Sequence, residues 1–269
     1  MELSVYQVDA FSKSVFGGNP AAICPLEAWL ADATLQAIAA ENNLSETAFF
    51  VRNGDCFHLR WFTPRCEVDL CGHATLASAH VLFNELHEPG QLIRFETKSG
   101  ELSVARDGDL LTLDFPSRPP SAIRPDPGLI AAIGGQPVEI LAARDYLIRY
   151  ASEAEVKALS PDMEALTQID RSTFIATAPG DHCDFVSRFF APAKGVPEDP
   201  VTGSAHCTLT PYWAEKLGKT KMKARQISER GGDLACRLLG DRVQISGYAT
   251  LFLKGQIFLS GENHDGHTS

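Results

Sequence analysis

The chain has 269 residues and carries 24 Lys and Arg against 34 Asp and Glu, a formal net charge of −10. With 44% hydrophobic and 22% charged residues it has the composition of a globular protein, which excludes a disordered chain. The acidic balance argues against a nucleic-acid-binding surface, which would show a basic patch or stripe; a small anionic substrate stays open, because local groups outweigh net charge inside a cleft.

In chain order, residues 5–11 and 21–24 alternate as strands on either side of a Gly17-Gly18-Asn19-Pro20 turn. Residues 29–42 are rich in Ala and Leu, with Leu30, Ala33, Ala37 and Ile38 near helical spacing. Residues 47–51 and 57–62 follow as strands, and residues 73–85 form a mostly apolar, and so buried, helix. A strand series over 93–115 turns at Asp107-Gly108-Asp109. Five prolines between 116 and 127 then break regular structure and mark a linker. Beyond it, 138–150 is strand-like, 152–166 helical, 173–177 and 185–190 strands, 203–217 a helix, and 226–258 a second strand series with a turn at Asp241.

The two halves share text. Arg60-Trp61-Phe62-Thr63-Pro64 precedes Gly72-His73-Ala74, as Arg188-Phe189-Phe190-Ala191-Pro192 precedes Gly203-Ser204-Ala205. Each glycine opens an apolar helix, followed in one half by Ser99-Gly100-Glu101-Leu102 and in the other by Gly231-Gly232-Asp233-Leu234. Three matches in the same order imply an internal duplication: an α+β protein of two similar lobes, residues 1–117 and 118–254, with 255–269 able to return to the first. A cleft between such lobes is where a small molecule would bind. The N-terminus lacks a basic region followed by an apolar run, and no stretch of about 20 apolar residues occurs, so neither a signal peptide nor a membrane span is expected. Seven scattered cysteines without a CxxC pair point to reduced thiols and a cytoplasmic location.

The duplication singles out the helix entries Cys71-Gly72-His73-Ala74-Thr75 and Thr202-Gly203-Ser204-Ala205-His206. Free amides and the positive end of the helix dipole at two facing entries would hold a carboxylate or a developing oxyanion; an ordinary close-packed helix start is the plainer role. Glu46 sits among apolar neighbours at a loop-to-strand junction, where partial desolvation would raise its pKa toward general acid–base use; an ion pair is the plainer role. Asp199, just before the second helix, is a cap, an orienter of a histidine, or a partner for a substrate ammonium. His73 and His80 share a helical face, but neither HxH nor HxxxH spacing occurs, so no metal site is expected. Cys71 has Thr202 as its positional counterpart, so a two-thiol mechanism lacks one partner and a buried, inert Cys71 is expected.

Taken together, Gly17-Gly18-Asn19-Pro20, Asn43-Leu44-Ser45-Glu46-Thr47-Ala48-Phe49, Arg60-Trp61-Phe62-Thr63-Pro64, Cys71-Gly72-His73-Ala74-Thr75 and Asp199-Pro200-Val201-Thr202-Gly203-Ser204-Ala205-His206 resemble the PhzF-like family of phenazine-biosynthesis isomerases. The resemblance runs across nearly the whole chain. It implies the diaminopimelate-epimerase fold, each lobe a curved sheet or partial barrel around a central helix. It implies Glu46 as the acid and base that moves a proton within a small, cyclic, carboxylate-bearing substrate. His73 and Asp199 would be its catalytic partners, and Gly72, Ala74, Gly203 and Ser204 would hold the substrate carboxylate. No cofactor is implied, and a homodimer is; residues 243–245 or 251–253 are candidates for its surface. Two other readings stand beside this isomerase: an epimerase at a carbon alpha to a carboxylate, with Cys71 or another group as second base, and a small-molecule binder without turnover.

Overall fold

A computed structural model describes residues 1–259 of the chain. The first half runs β1 (Glu2–Ala10), β2 (Asn19–Leu26), α1 (Asp32–Asn42), β3 (Glu46–Asn53), β4 (Cys56–Phe62), β5 (Glu67–Val68), α2 (Gly72–His80), β6 (Leu92–Thr97), β7 (Gly100–Asp107) and β8 (Leu110–Pro116). The second runs β9 (Ser121–Ala122), α3 (Leu129–Ile133), β10 (Glu139–Ala142), β11 (Tyr146–Arg149), α4 (Glu153–Ala158), α5 (Met163–Leu166), β12 (Phe174–Pro179), β13 (Phe185–Ala191), β14 (Val196–Asp199), α6 (His206–Leu217), β15 (Lys221–Gln226), β16 (Gly232–Leu239), β17 (Arg242–Gly247) and β18 (Ala249–Phe258).

Strand pairing repeats between the halves. In the first, β2 runs parallel to β3, β3 antiparallel to β4, β4 antiparallel to β5 and parallel to β6, and β6–β7–β8 form a meander. In the second, β11 runs parallel to β12, β12 antiparallel to β13, β13 antiparallel to β14 and parallel to β15, and β15–β16–β17 form the meander. The ladders also join the halves, which the sequence pattern does not foresee. β8 pairs with β17, the strand after β8 (β9) pairs with β10, and the strand after β17 (β18) pairs with β1 along its length. The return to the first half therefore begins at Ala249; of the expected returning segment, residues 260–269 lie outside the described ones.

Each meander alternates buried and exposed residues, and the buried row faces a helix. In β15 and β16 these are Met222, Ala224, Gln226, Leu234 and Cys236. Helix α2 is buried from Gly72 to Ala79, and the small side chains of Ala74, Ala77 and Ala79 let β1, β2, β3, β7, β8 and β18 close around it. Helix α6 is buried from His206 to Ala214 and packs on β15, β16 and β17. Pro211 sits inside α6 and has no N–H for the carbonyl of Cys207; the backbone N–H of Arg118, in the proline-rich linker, donates to that carbonyl at 2.9 Å.

Several expected elements differ in extent. The helix expected over 73–85 is α-helical only to His80 and ends in a π turn, Val81–Glu85. The helix expected over 152–166 is two short ones, because Ser152 caps α4, Pro161 interrupts, and Asp162 caps α5 by accepting from the amide of Ala165. The second helix enters through a 3-10 turn, Gly203–Ala205, before α6. The last strand series starts at Lys221.

Candidate active site

Cavity and floor. The two helix entries meet back to back between the halves. A Cβ added to Gly72 would lie 3.2 Å from the Cα of Gly203, and one added to Gly203 would lie 3.3 Å from the Cα of Gly72. Only glycine at both positions allows this approach, which brings the unpaired first-turn amides of both helices to one place. The strands leading there are braced alike. Arg60 grips Glu67 with Nε at 2.7 Å and Nη2 at 3.0 Å, and Arg188 grips Glu198 with the same atoms at 2.7 and 2.8 Å. Beside the entries opens a cavity of about 450 Å³, whose wall includes Glu46, Cys71, Gly72, His73, Asp199, Thr202, Gly203 and Ser204.

Delivery of the polar side chains. Asn43 ends α1 in the left-handed conformation (φ 48°), and β3 begins three residues later with Glu46. Asn19 starts β2 behind the turn of Gly17 and Gly18; Gly18 has φ +67°, and a Cβ there would sit 2.1 Å from the carbonyl oxygen of Ala10. Arg230, from the second half, pins this turn by donating to the carbonyls of Gly17 and Gly18 and to Asp9 at 2.8–3.1 Å.

Asn19 is the hub of the polar cluster. Its Nδ2 donates to Asp199 Oδ1 at 2.7 Å and to the Val201 carbonyl at 2.9 Å, and lies 3.1 Å from His73 Nδ1. An amide nitrogen can only donate, so His73 Nδ1 accepts and the imidazole proton is on Nε2. That nitrogen is 3.2 Å from Glu46 Oε2. The approach is too bent to satisfy the carboxyl, and Oε2 has no hydrogen-bond partner among the described residues. Asp199 also accepts from Thr202 Oγ1 at 2.5 Å, while Gln226 donates to the Asp199 carbonyl at 2.6 Å and accepts from the Thr202 amide at 2.8 Å.

Charge states follow from burial. Burial, then the charge of Asp199, push Glu46 up to about 8. Burial pushes Asp199 up to about 6, against the pull of its bonds from Thr202 and Asn19. Of the two carboxyls, Asp199 therefore ionises first and Glu46 keeps its proton longer. Burial alone depresses His73 to about 3, so it is a neutral donor at ordinary pH. Burial, then the charge of Glu46, hold the Cys71 thiol well above its ordinary range. Glu46, Cys71 and His73 bring one ligand atom each within 4.8 Å of one another. Metal binding would need a thiolate and a free imidazole nitrogen; here the thiol stays protonated and Asn19 occupies Nδ1.

The structure thus brings Glu46, His73, Asp199, Gly72, Gly203 and Ser204 to one cavity. Ala74 is fully buried and off the cavity wall. Asp199 is not a helix cap: the residue before the 3-10 turn is Thr202, and the Asp199 side chain bonds to Thr202 Oγ1 and Asn19 instead of to helix amides. Sequence reasoning missed Asn19 and Gln226 as members of the cluster; Asn19 stood in a quoted motif but reads there as a turn residue. Lys194 and Arg144, also on the wall, had no local signal at all.

The sequence profile of the family described as "Phenazine biosynthesis-like protein" matches residues 8–255. A protein of Pseudomonas aeruginosa named an uncharacterized isomerase is 53% identical over 261 residues, 97% of this chain and all of that one. The crystal structure of a PhzF-family phenazine biosynthesis protein from Enterococcus faecalis superposes with a TM-score of 0.93 at 47% identity, over 96% of this chain and all of the other. A hydroxyproline epimerase from Agrobacterium vitis shares the fold, with a TM-score of 0.65 at 10% identity over 97% of this chain and 94% of its own.

Proposed function

Since the chain belongs to the phenazine biosynthesis-like family of isomerases, we propose that it moves a proton between carbons of a small, cyclic, carboxylate-bearing metabolite, with Glu46 as acid and base and no cofactor. The observation that supports this most is the state of Glu46: a buried carboxyl on the cavity wall, held near pH 8 beside two opposed helix entries. A carboxyl with that affinity exchanges its proton near neutral pH, as a shuttle must. The substrate carboxylate takes the amides at Gly72 and Gly203 and the hydroxyl of Ser204. Ionised Glu46 removes a proton from a carbon conjugated with that carboxylate; the electron pair spreads into the carboxylate, where the two helix entries stabilise it. Glu46, now protonated, returns the proton to a different carbon. His73 Nε2–H faces the ionised carboxyl, and Asp199 with Asn19 holds His73 in that tautomer.

A single base carries this scheme. An epimerase would need a second one on the opposite face; Cys71 is held as a thiol, and its counterpart Thr202 donates to Asp199. Nuclear magnetic resonance of a panel of cyclic carboxylates in deuterium oxide separates the readings: an isomerase labels a new carbon, an epimerase a stereocentre, a binder neither. Glu46→Gln should slow labelling by at least about 10²-fold while ligand-induced thermal shifts persist. Labelling at the wild-type rate by Glu46→Gln would overturn the assignment.

The reading also takes the molecule as two lobes, residues 1–117 with the returning last strand and 118–254, and as a cytoplasmic homodimer. The repeated strand pairing supports the lobes. All seven cysteines are unpaired, in keeping with a reducing compartment. Among the described residues no helix is long and apolar enough to cross a membrane.

A further inference from the structure

Part of the cavity wall is cationic although the protein carries a net charge of −10. Lys194 and Arg144, both from the second half, line it. Lys194 is half-buried; burial, then the neighbouring Arg144, depress its pKa, and no hydrogen bond or ion pair holds its ammonium among the described residues. Arg144 reaches only Asp145, at 3.5 Å, whose Oδ1 already accepts from Thr173 at 2.5 Å. From the first half Arg65 reaches over to the same place. Its side chain lies against Gly195, next to Lys194, where a Cβ would be 3.0 Å from its Cδ and Nε.

The acidic wall residues do not neutralise these cations. Glu67 is taken by Arg60 at 2.7 Å and Lys98 at 2.5 Å, and Asp69 is exposed. Glu46 and Asp199 are held toward their neutral forms by burial. A half-buried ammonium without a counter-ion is unfavourable in the empty cavity and becomes favourable once a ligand supplies the charge.

We propose that the substrate carries two anionic groups: a carboxylate at the paired entries of Gly72 and Gly203, and a second carboxylate or phosphate held by Lys194 and Arg144, with Arg65 beside it. This rests on the carboxylate-isomerase reading above and specifies its substrate class. A cavity of about 450 Å³ suits a small ring bearing both groups.

Calorimetric titration of the full chain at low ionic strength with benzoate, terephthalate and 4-phosphonobenzoate tests it. A hydrogen-bonded charge is worth on the order of tenfold in affinity, so wild type should bind the better dianion about tenfold tighter than benzoate. A preference for terephthalate assigns the second group as carboxylate, and one for the phosphonate as phosphate. Lys194→Met combined with Arg144→Gln should bring dianion affinity close to that of benzoate, and Lys194→Arg should keep the preference. Wild type binding benzoate and both dianions equally, or the double variant retaining the preference, would overturn the second site alone. Failure of wild type to bind any of the three would overturn the carboxylate site as well.

Discussion

Asn19 has two amide hydrogens and three acceptors in reach: His73 Nδ1, Asp199 Oδ1 and the Val201 carbonyl. Removing it leaves two buried acceptors unsatisfied, so Asn19→Ala should destabilise by about 1–3 kcal/mol in thermal or urea unfolding. A purely structural role would stop there. If Asn19 sets the tautomer, nitrogen-15 spectra of His73 should also change from a single Nε2–H form to a mixture. Glu46 makes a prediction of opposite sign. The folded protein holds its proton to about pH 8, while the unfolded chain releases it near the ordinary 4.5. Folding thus binds a proton between these values; the stabilisation is full below about 4.5 and is lost as pH rises through about 8. Glu46→Gln cannot titrate, so its Tm should rise relative to wild type as pH goes from about 5 to about 8.5. At roughly 2–4 °C per kcal/mol, scanning calorimetry should resolve a gap of several degrees. A constant gap across that range would place the Glu46 carboxyl in solvent.

Gly72 and Gly203 work as a pair of elements meeting, not as two flexible residues; neither has positive φ. In Gly72→Ala the new methyl meets backbone 3.2 Å away, so α2 and the entry to α6 must separate. Overpacking of this kind costs about 1–3 kcal/mol, and displacement of a binding element on the order of 1 Å lowers turnover by about 10²-fold. Activity should therefore fall much further than stability, as paired kinetics and unfolding would measure. Element types were largely legible because period two and period 3.6 were present in the text. Even β15, expected only from Gln226, alternates Lys221, Met222, Lys223, Ala224 visibly. Boundaries were less so. The end of α2 is decided by the π turn and the break between α4 and α5 by Pro161, where local capping outweighs a continuous apolar pattern.

Across the whole molecule the scaffold is duplicated and the chemistry is not. Arg60–Glu67 and Arg188–Glu198 occupy matching places, as do Gly72 and Gly203. By the same alignment Cys71 faces Thr202, His73 faces Ser204, and Asp199 falls opposite Val68, so each half supplies different polar groups to the shared cavity. For association, residues 243–245 are excluded, since Val243 and Ile245 are buried in β17 between β16 and β8. Strand β18 remains: its only ladder among the described residues is to β1, Phe252 is 44% exposed, and the 71% exposed Phe16 stacks on it with centroids 5.7 Å apart. An open strand edge with exposed aromatics is a ready interface. Light scattering should give twice the 29.2 kDa chain mass, and Phe252→Lys should shift it toward the monomer. A monomer mass for wild type at micromolar concentration would refute the homodimer.

The sequence by itself determined the duplication, the α+β class, the two glycine-opened helices and Glu46, because each is written in residues close together along the chain. Only the tertiary structure decided how those parts act. Asn19 meets Asp199 across 180 positions and Arg230 meets Asp9 across 221, and no local pattern encodes such pairs. The same holds for charge: that Glu46 keeps its proton to about pH 8 while His73 stays neutral is a property of shared burial, which exists only once both halves have closed around the cavity.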